Sequence, residues 1–217
     1  MELHQLVRSL PSQAFPPDAK YIPLNGVYFV FERGERGHEG ERIVRVGSHT
    51  GDGHLASRLA EHLTPNKDRS IFRKNIGRAL LYRESDPYAR VWELDFTKRE
   101  IRDKYGHLRD LAKQEKIEAA VSEYIKDRFA VRVIGLSSCQ LALDFEKLCI
   151  GTVSACPACI ESDEWLGRHS SKPKIRSSGM WQEQHLFKAC LSRDDLKQLR
   201  HLAFGGCPEA LPTWPGR

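Results

Sequence analysis

The chain has 217 residues, of which 40% are apolar and 29% charged, and carries a formal net charge of +5. That length accommodates one domain with extensions and buries an ordinary core without disulfides. The composition is that of a soluble globular protein, with no apolar stretch long enough for a membrane helix.

Residues 1–20 read as a short amphipathic N-terminal segment that ends in the Pro-rich entry Phe15-Pro16-Pro17. The start Met1-Glu2-Leu3-His4 lacks a basic region followed by an apolar run, so a cytoplasmic protein is expected. Gly26–Glu32, apolar on both faces, predicts a strand covered on two sides. The charged, glycine-rich stretch 33–41 suits a hairpin loop, and a second strand runs from about Arg42 to Gly47. Leu55, Leu59 and Leu63 at i+4 spacing mark a helix over 54–63, with another over 70–83. Residues 88–96 read as an extended connection, and 97–129 as a helical, amphipathic insertion. A third strand follows at Val131–Leu136, then a helix over Gln140–Gly151. The remainder, 156–217, is an extension with weak helical signals near 184–190 and 193–203. These elements predict an α/β layer structure with its core over 21–155.

Four features stand out against that frame. Tyr28 lies inside the first strand, and Arg45 sits between Val44 and Val46 in the second, where a charge needs a partner. Arg58 and His62 are four apart on one helix and share a face. Glu146 lies in line with Ala142 and Ile150, and a carboxylate in an apolar line calls for a cation, a donor or a metal. Taken singly, each has a plain structural explanation: a core aromatic, a solvated helix face, an ion pair.

Taken together they suit phosphodiester hydrolysis. The anionic substrate repels a water nucleophile, so charge neutralisation dominates the problem. An arginine can hold a non-bridging oxygen, and one glutamate can hold Mg²⁺ whose other ligands are water and phosphate. A tyrosine or histidine can take the proton from the attacking water.

Gly26-Val27-Tyr28, then Arg45-Val46-Gly47, then Arg58 and His62, then Glu146, resemble the GIY-YIG nucleases in order and spacing over roughly residues 22 to 155. The resemblance implies a three-stranded antiparallel sheet flanked by helices. It also implies cleavage of DNA with one Mg²⁺ or Mn²⁺. Tyr28 then matches the base or water-positioner, Arg58 the phosphate-contacting arginine, His62 the proton mover and Glu146 the metal ligand. Gly26 and Gly47 match the glycines of the two motifs. Arg45 replaces the second motif's tyrosine, where some members carry a lysine. The asparagine often found about three turns after the glutamate is missing: that count reaches Ala158, and Ser154 and Gln182 are the nearby substitutes.

Two basic clusters are expected to track phosphates or to form ordinary charged surface. One holds Arg69, Arg73, Lys74 and Arg78; the other holds Arg168, His169, Lys172, Lys174 and Arg176. Trp165 and Trp181 could stack on a base, with anchoring of the extension the favoured role. Cys156-Pro-Ala-Cys159 is half a zinc site, with His169, His185, Cys190 and Cys207 as the available further ligands. Lacking a second Cys pair, the sequence favours a turn with two buried thiols. The expected protein is a divalent-metal-dependent DNA endonuclease. A binding module on the same scaffold and a zinc-stabilised interaction protein are the alternatives.

Overall fold

The computed structural model describes residues 2–205. Its centre is the hairpin of β2 (Gly26–Gly37) and β3 (Gly40–Gly47). The strand β4 (Phe129–Gly135) pairs antiparallel with the other side of β2. The sheet therefore has the expected three antiparallel strands and a fourth. The two-residue strand β1 (Gln13–Ala14) pairs with the outer edge of β4, giving the order β1-β4-β2-β3. So short a strand leaves no period-2 pattern, which is why the sequence reading stopped at three.

Residues 33–41 are also not a loop. Both strands continue, with register shifts between Val30 and Arg36, to a two-residue turn at His38 and Glu39. Those two residues adopt left-handed backbone, with φ of 50° and 61°. This is the geometry that joins twisted strands most tightly.

Side chains alternate across the sheet, so each face has its own core. Tyr28, Val30 and Val44 pack with Leu55 and Leu59 of α2 (Leu55–Glu61), Phe72 and Ile76 of α3 (Ile71–Arg83), and Val121 and Ile125 of α6 (Leu111–Arg128). Val27, Phe29, Phe31, Ile43 and Val46 face α1 (Glu2–Arg8), α7 (Cys139–Ser154) and α9 (Arg193–Ala203). Leu3, Leu6 and Val7 of α1 are buried in that second core, so the N-terminal segment is part of it.

Helix starts follow side-chain caps. Ser70 accepts from the Arg73 amide, Asp110 from Lys113 and Ser138 from Leu141; Ser192 and Asp195 form a reciprocal capping box. The stretch 88–96 is not extended: it contains the one-turn α4 (Ala89–Trp92). Its start is set by the Asp86 carboxylate accepting from the Tyr88 amide, and Trp92 is fully buried. The helical insertion divides into α5 (Arg99–Tyr105), a 3₁₀ turn and α6.

In the extension, α9 coincides with the expected 193–203, while 184–190 is irregular and the helix before it is α8 (Pro173–Ser178). Proline at its first turn and left-handed Gly179 at its end account for those limits. The extension belongs to both cores, through Trp165, Leu166, Ile175 and Trp181 on one face and Met180 and Leu199 on the other. It also covers the β3 edge: the Trp181 amide donates to the Val44 carbonyl, and the Val46 amide donates to Gln182 Oε1. Among the described residues, no helix is long and apolar enough to cross a membrane.

Candidate active site

Tyr28 and Gly47 are cross-strand partners at the open end of the hairpin. Gly47 gives the tyrosine its room: a β-carbon there would come within 2.3 Å of the Tyr28 ring and hydroxyl. At Gly26 a β-carbon would meet the Ile134 carbonyl, also at 2.3 Å. The glycines of both motifs are thus explained by close approach. Gly47→Ala is expected to displace the ring and cost about 1–3 kcal/mol by overpacking, as read from urea denaturation midpoints against the wild type.

The Tyr28 hydroxyl lies 2.8 Å from His62 Nε2, and His62 Nδ1 lies 2.9 Å from the Ser70 hydroxyl. His62 follows the last turn of α2, so Leu55 and Leu59 of that helix fix its ring by packing on the sheet. Phe72 meets the imidazole edge-on at 5.3 Å between centroids. Both Tyr28 and His62 are fully buried. Burial, then the charges of Arg45, Arg58 and Arg73, hold His62 well below the usual histidine range, so the ring is neutral. A neutral imidazole has one donor and one acceptor nitrogen. With Nδ1–H donating to Ser70, Nε2 is free to accept from the tyrosine hydroxyl.

Arg45 shares this face by register, because Gly47 pairs with Tyr28, Val46 with Phe29 and Arg45 with Val30. Phe31 pairs with Ile43, so Val44 is an extra residue on β3, and that bulge lets Val44 pack on the same side. The Arg45 guanidinium donates to the Trp181 carbonyl at 2.8 Å and lies over the Phe72 ring. Its Nε is buried without a hydrogen-bond partner. Arg58, half-buried, lies within hydrogen-bonding reach of Tyr28 and donates to Glu61 at 2.8 Å. Burial alone would lower its pKa, but Tyr28 and Glu61 outweigh that and raise it. Arg58 also reaches the carbonyl of exposed Arg69.

Glu146 stands on α7 at the edge of β3. Its carboxylate accepts from Ser48, the residue after Gly47. It lines an open cavity of about 460 Å³ with Arg45, Ile71, Gln182 and His185. Half-buried and bonded to a hydroxyl, the carboxylate keeps free lone pairs. Mg²⁺ and Mn²⁺ favour oxygen donors, and Mg²⁺ retains several waters while using one or two carboxylates, so this donor set suits either ion. Gln182, one of the two substitutes for the absent asparagine, lies in the same cavity, while Ser154 bonds to Gly151 and Phe187.

Sequence reasoning missed Ser48, whose partner Glu146 lies 98 residues away, and Ser70, whose bond to His62 crosses the connection between α2 and α3. Two members of the first basic cluster require correction. Arg73 is fully buried against Glu118, and Arg78 is buried against Glu93 and Asn75, so neither guanidinium is available to a phosphate. Lys74 is half-buried, bonded to Asp68 and the Glu93 carbonyl. Arg69 and Lys174 are exposed, and Lys172 is half-buried. Trp165 and Trp181 anchor the extension: both indoles donate to the buried carboxylate of Glu32, at 2.9 and 2.8 Å.

Of the four ligand candidates for Cys156 and Cys159, His169 and Cys190 are exposed, His185 lines the Glu146 cavity, and Cys207 lies outside the described residues. The residues beside the two thiols are His4 and His38.

No curated protein and no solved structure matches the chain. A family model described as the GIY-YIG domain matches residues 12–203, which includes β1, the whole hairpin and nearly all of the described extension. With the glycine–tyrosine packing that the paired motifs require in place across β2 and β3, the chain belongs to the GIY-YIG domain family.

Proposed function

We propose that this protein is a divalent-metal-dependent endonuclease that hydrolyses phosphodiester bonds in DNA. The observation that carries the reading is the buried Tyr28–His62 hydrogen bond flanked by Arg45 and Arg58. Arg58 exchanges Glu61 for a non-bridging phosphate oxygen, a charge-assisted contact that strengthens as negative charge builds on the phosphate in the transition state. That exchange uncovers the Tyr28 hydroxyl, whose proton passes to neutral His62 Nε2 as the hydroxyl takes a proton from the attacking water. Arg45 stabilises the charge that builds on the phosphate. Glu146 would hold Mg²⁺ or Mn²⁺, which, when bound, offsets charge on the phosphate and the leaving oxygen. Exposed Arg69 and Lys174, with Lys172, extend the contact along the backbone.

The test is nicking of supercoiled plasmid with Mg²⁺ and with EDTA, repeated on linear, nicked and forked DNA. Metal-dependent nicks are expected. Intact plasmid alongside a salt-sensitive mobility shift would overturn the enzymatic reading and leave a binding module. The full burial of Tyr28 and His62 is the observation that favours that second reading.

A further inference from the structure

At the far tip of the hairpin, four side chains from three distant parts of the chain converge. His4 comes from α1, His38 from the β2–β3 turn, and Cys156 and Cys159 from the segment after α7. Their ligand atoms all lie within 4.8 Å of one another. His38 Nε2 is 2.9 Å from Cys156 Sγ, and His4 Nε2 is 3.3 Å from Cys159 Sγ. The two imidazoles stand 4.5 Å apart between centroids. We propose that these four residues form a structural Zn²⁺ site that ties the N-terminal helix and the hairpin tip to the start of the extension.

The donor set is what zinc takes. Bond lengths of about 2.0–2.3 Å in a tetrahedron separate the donors by about 3.3–3.8 Å, so small side-chain adjustments suffice. Two sulfurs and two imidazoles select a soft or borderline cation over Mg²⁺. Four protein donors close the coordination shell, which is the pattern of a structural site and leaves no position for substrate.

The local backbone is built around the cluster. The Cys159 amide donates to the Cys156 carbonyl and closes the Cys-x-x-Cys turn. A β-carbon at Gly37 would lie 3.2 Å from the Ala158 carbonyl and 3.3 Å from Cys159 Sγ, so glycine lets the hairpin approach the thiols. His38 holds a left-handed φ of 50° that few side chains adopt without strain. Arg8 secures that turn by donating to the carbonyls of Gly37 and His38.

Bound to one cation as thiolates, the two cysteines carry charges that cancel it. The sequence hid the site because the histidines lie 155 and 118 positions from the cysteines they touch.

This site is distinct from Glu146. The hairpin separates the Gly37–Gly40 rung from the Tyr28–Gly47 rung by nine residues of β2, roughly 30 Å at the rise of a strand.

The test is metal analysis of the full chain purified without a metal-affinity tag. About one zinc per chain is expected, and Co²⁺ replacement should give the intense visible absorption of tetrahedral thiolate coordination. Cys156→Ser with Cys159→Ser should lose the zinc, and Cys190→Ser should keep it. Because the double variant could fail to fold, the wild type is also stripped with a thiol-compatible zinc chelator. Its melting temperature should fall and recover with one equivalent of Zn²⁺ but not with Mg²⁺. A folded chain that takes up neither Zn²⁺ nor Co²⁺, or one with a Cys156–Cys159 disulfide as purified, would overturn the proposal. Zinc content is read without DNA, so a nuclease result of either sign leaves it untouched.

Discussion

Glu146→Ala is expected to reduce Mg²⁺-dependent plasmid nicking by about a hundredfold to a thousandfold, the scale of losing one charge-stabilising contact in a transition state. The effect should fall on turnover, because in the proposed mechanism Arg58, Arg45 and the exposed Arg69 would still hold the phosphate. Stability should change little. Glu146 is half-buried on a cavity wall, and it accepts a hydrogen bond from Ser48, which can turn to water when the carboxylate goes. A thermal melt on the same preparation separates the two effects. Glu146→Gln is the sharper variant. It keeps shape and an acceptor for Ser48 but removes the charge that a divalent ion requires. Wild-type nicking by either variant would remove Glu146 from the chemistry.

Glu118→Ala is expected to destabilise the fold by about 3–5 kcal/mol, the cost of breaking a buried ion pair from one side. The Glu118 carboxylate accepts from Arg73 Nε and Nη2 and from the Lys67 amide, and both partners are at most 3% exposed. Alanine would strand the Arg73 charge in the core beside His62, whose carbonyl Arg73 also contacts. Urea denaturation followed by far-UV circular dichroism reads the loss. The double variant Glu118→Leu with Arg73→Met should recover much of it, because matched apolar groups replace a buried pair at little cost. A double variant as unstable as the single one would show that the pair's geometry, rather than charge compensation, holds α3 to α6.

What the sequence made legible was whatever depends on near neighbours. The leucine spacing over 54–63 led to α2, and the helical patterns over 70–83 and 193–203 fell on α3 and α9, whose starts Ser70 and Ser192 cap. The order of Tyr28, Arg58, His62 and Glu146 was readable because a family resemblance supplied the long-range relation that periodicity lacks. Where no such relation was available, the reading failed in a consistent way. Arg73 and Arg78 look like surface cations until Glu118 and Glu93 arrive from 45 and 15 residues away. The cysteine pair looks incomplete until the N-terminal helix and the hairpin tip supply its histidines.

The way the extension seals the sheet limits how the molecule can be shortened. A fragment stopping near residue 155 would keep Tyr28, Arg45, Arg58, His62 and Glu146, yet it would bare the Val44 carbonyl and Val46 amide as a sticky strand margin. It would also leave the Glu32 carboxylate without its two indole donors. Such a shortened chain should self-associate through that margin, whereas the full chain, with the margin covered, should stay monodisperse under the same conditions.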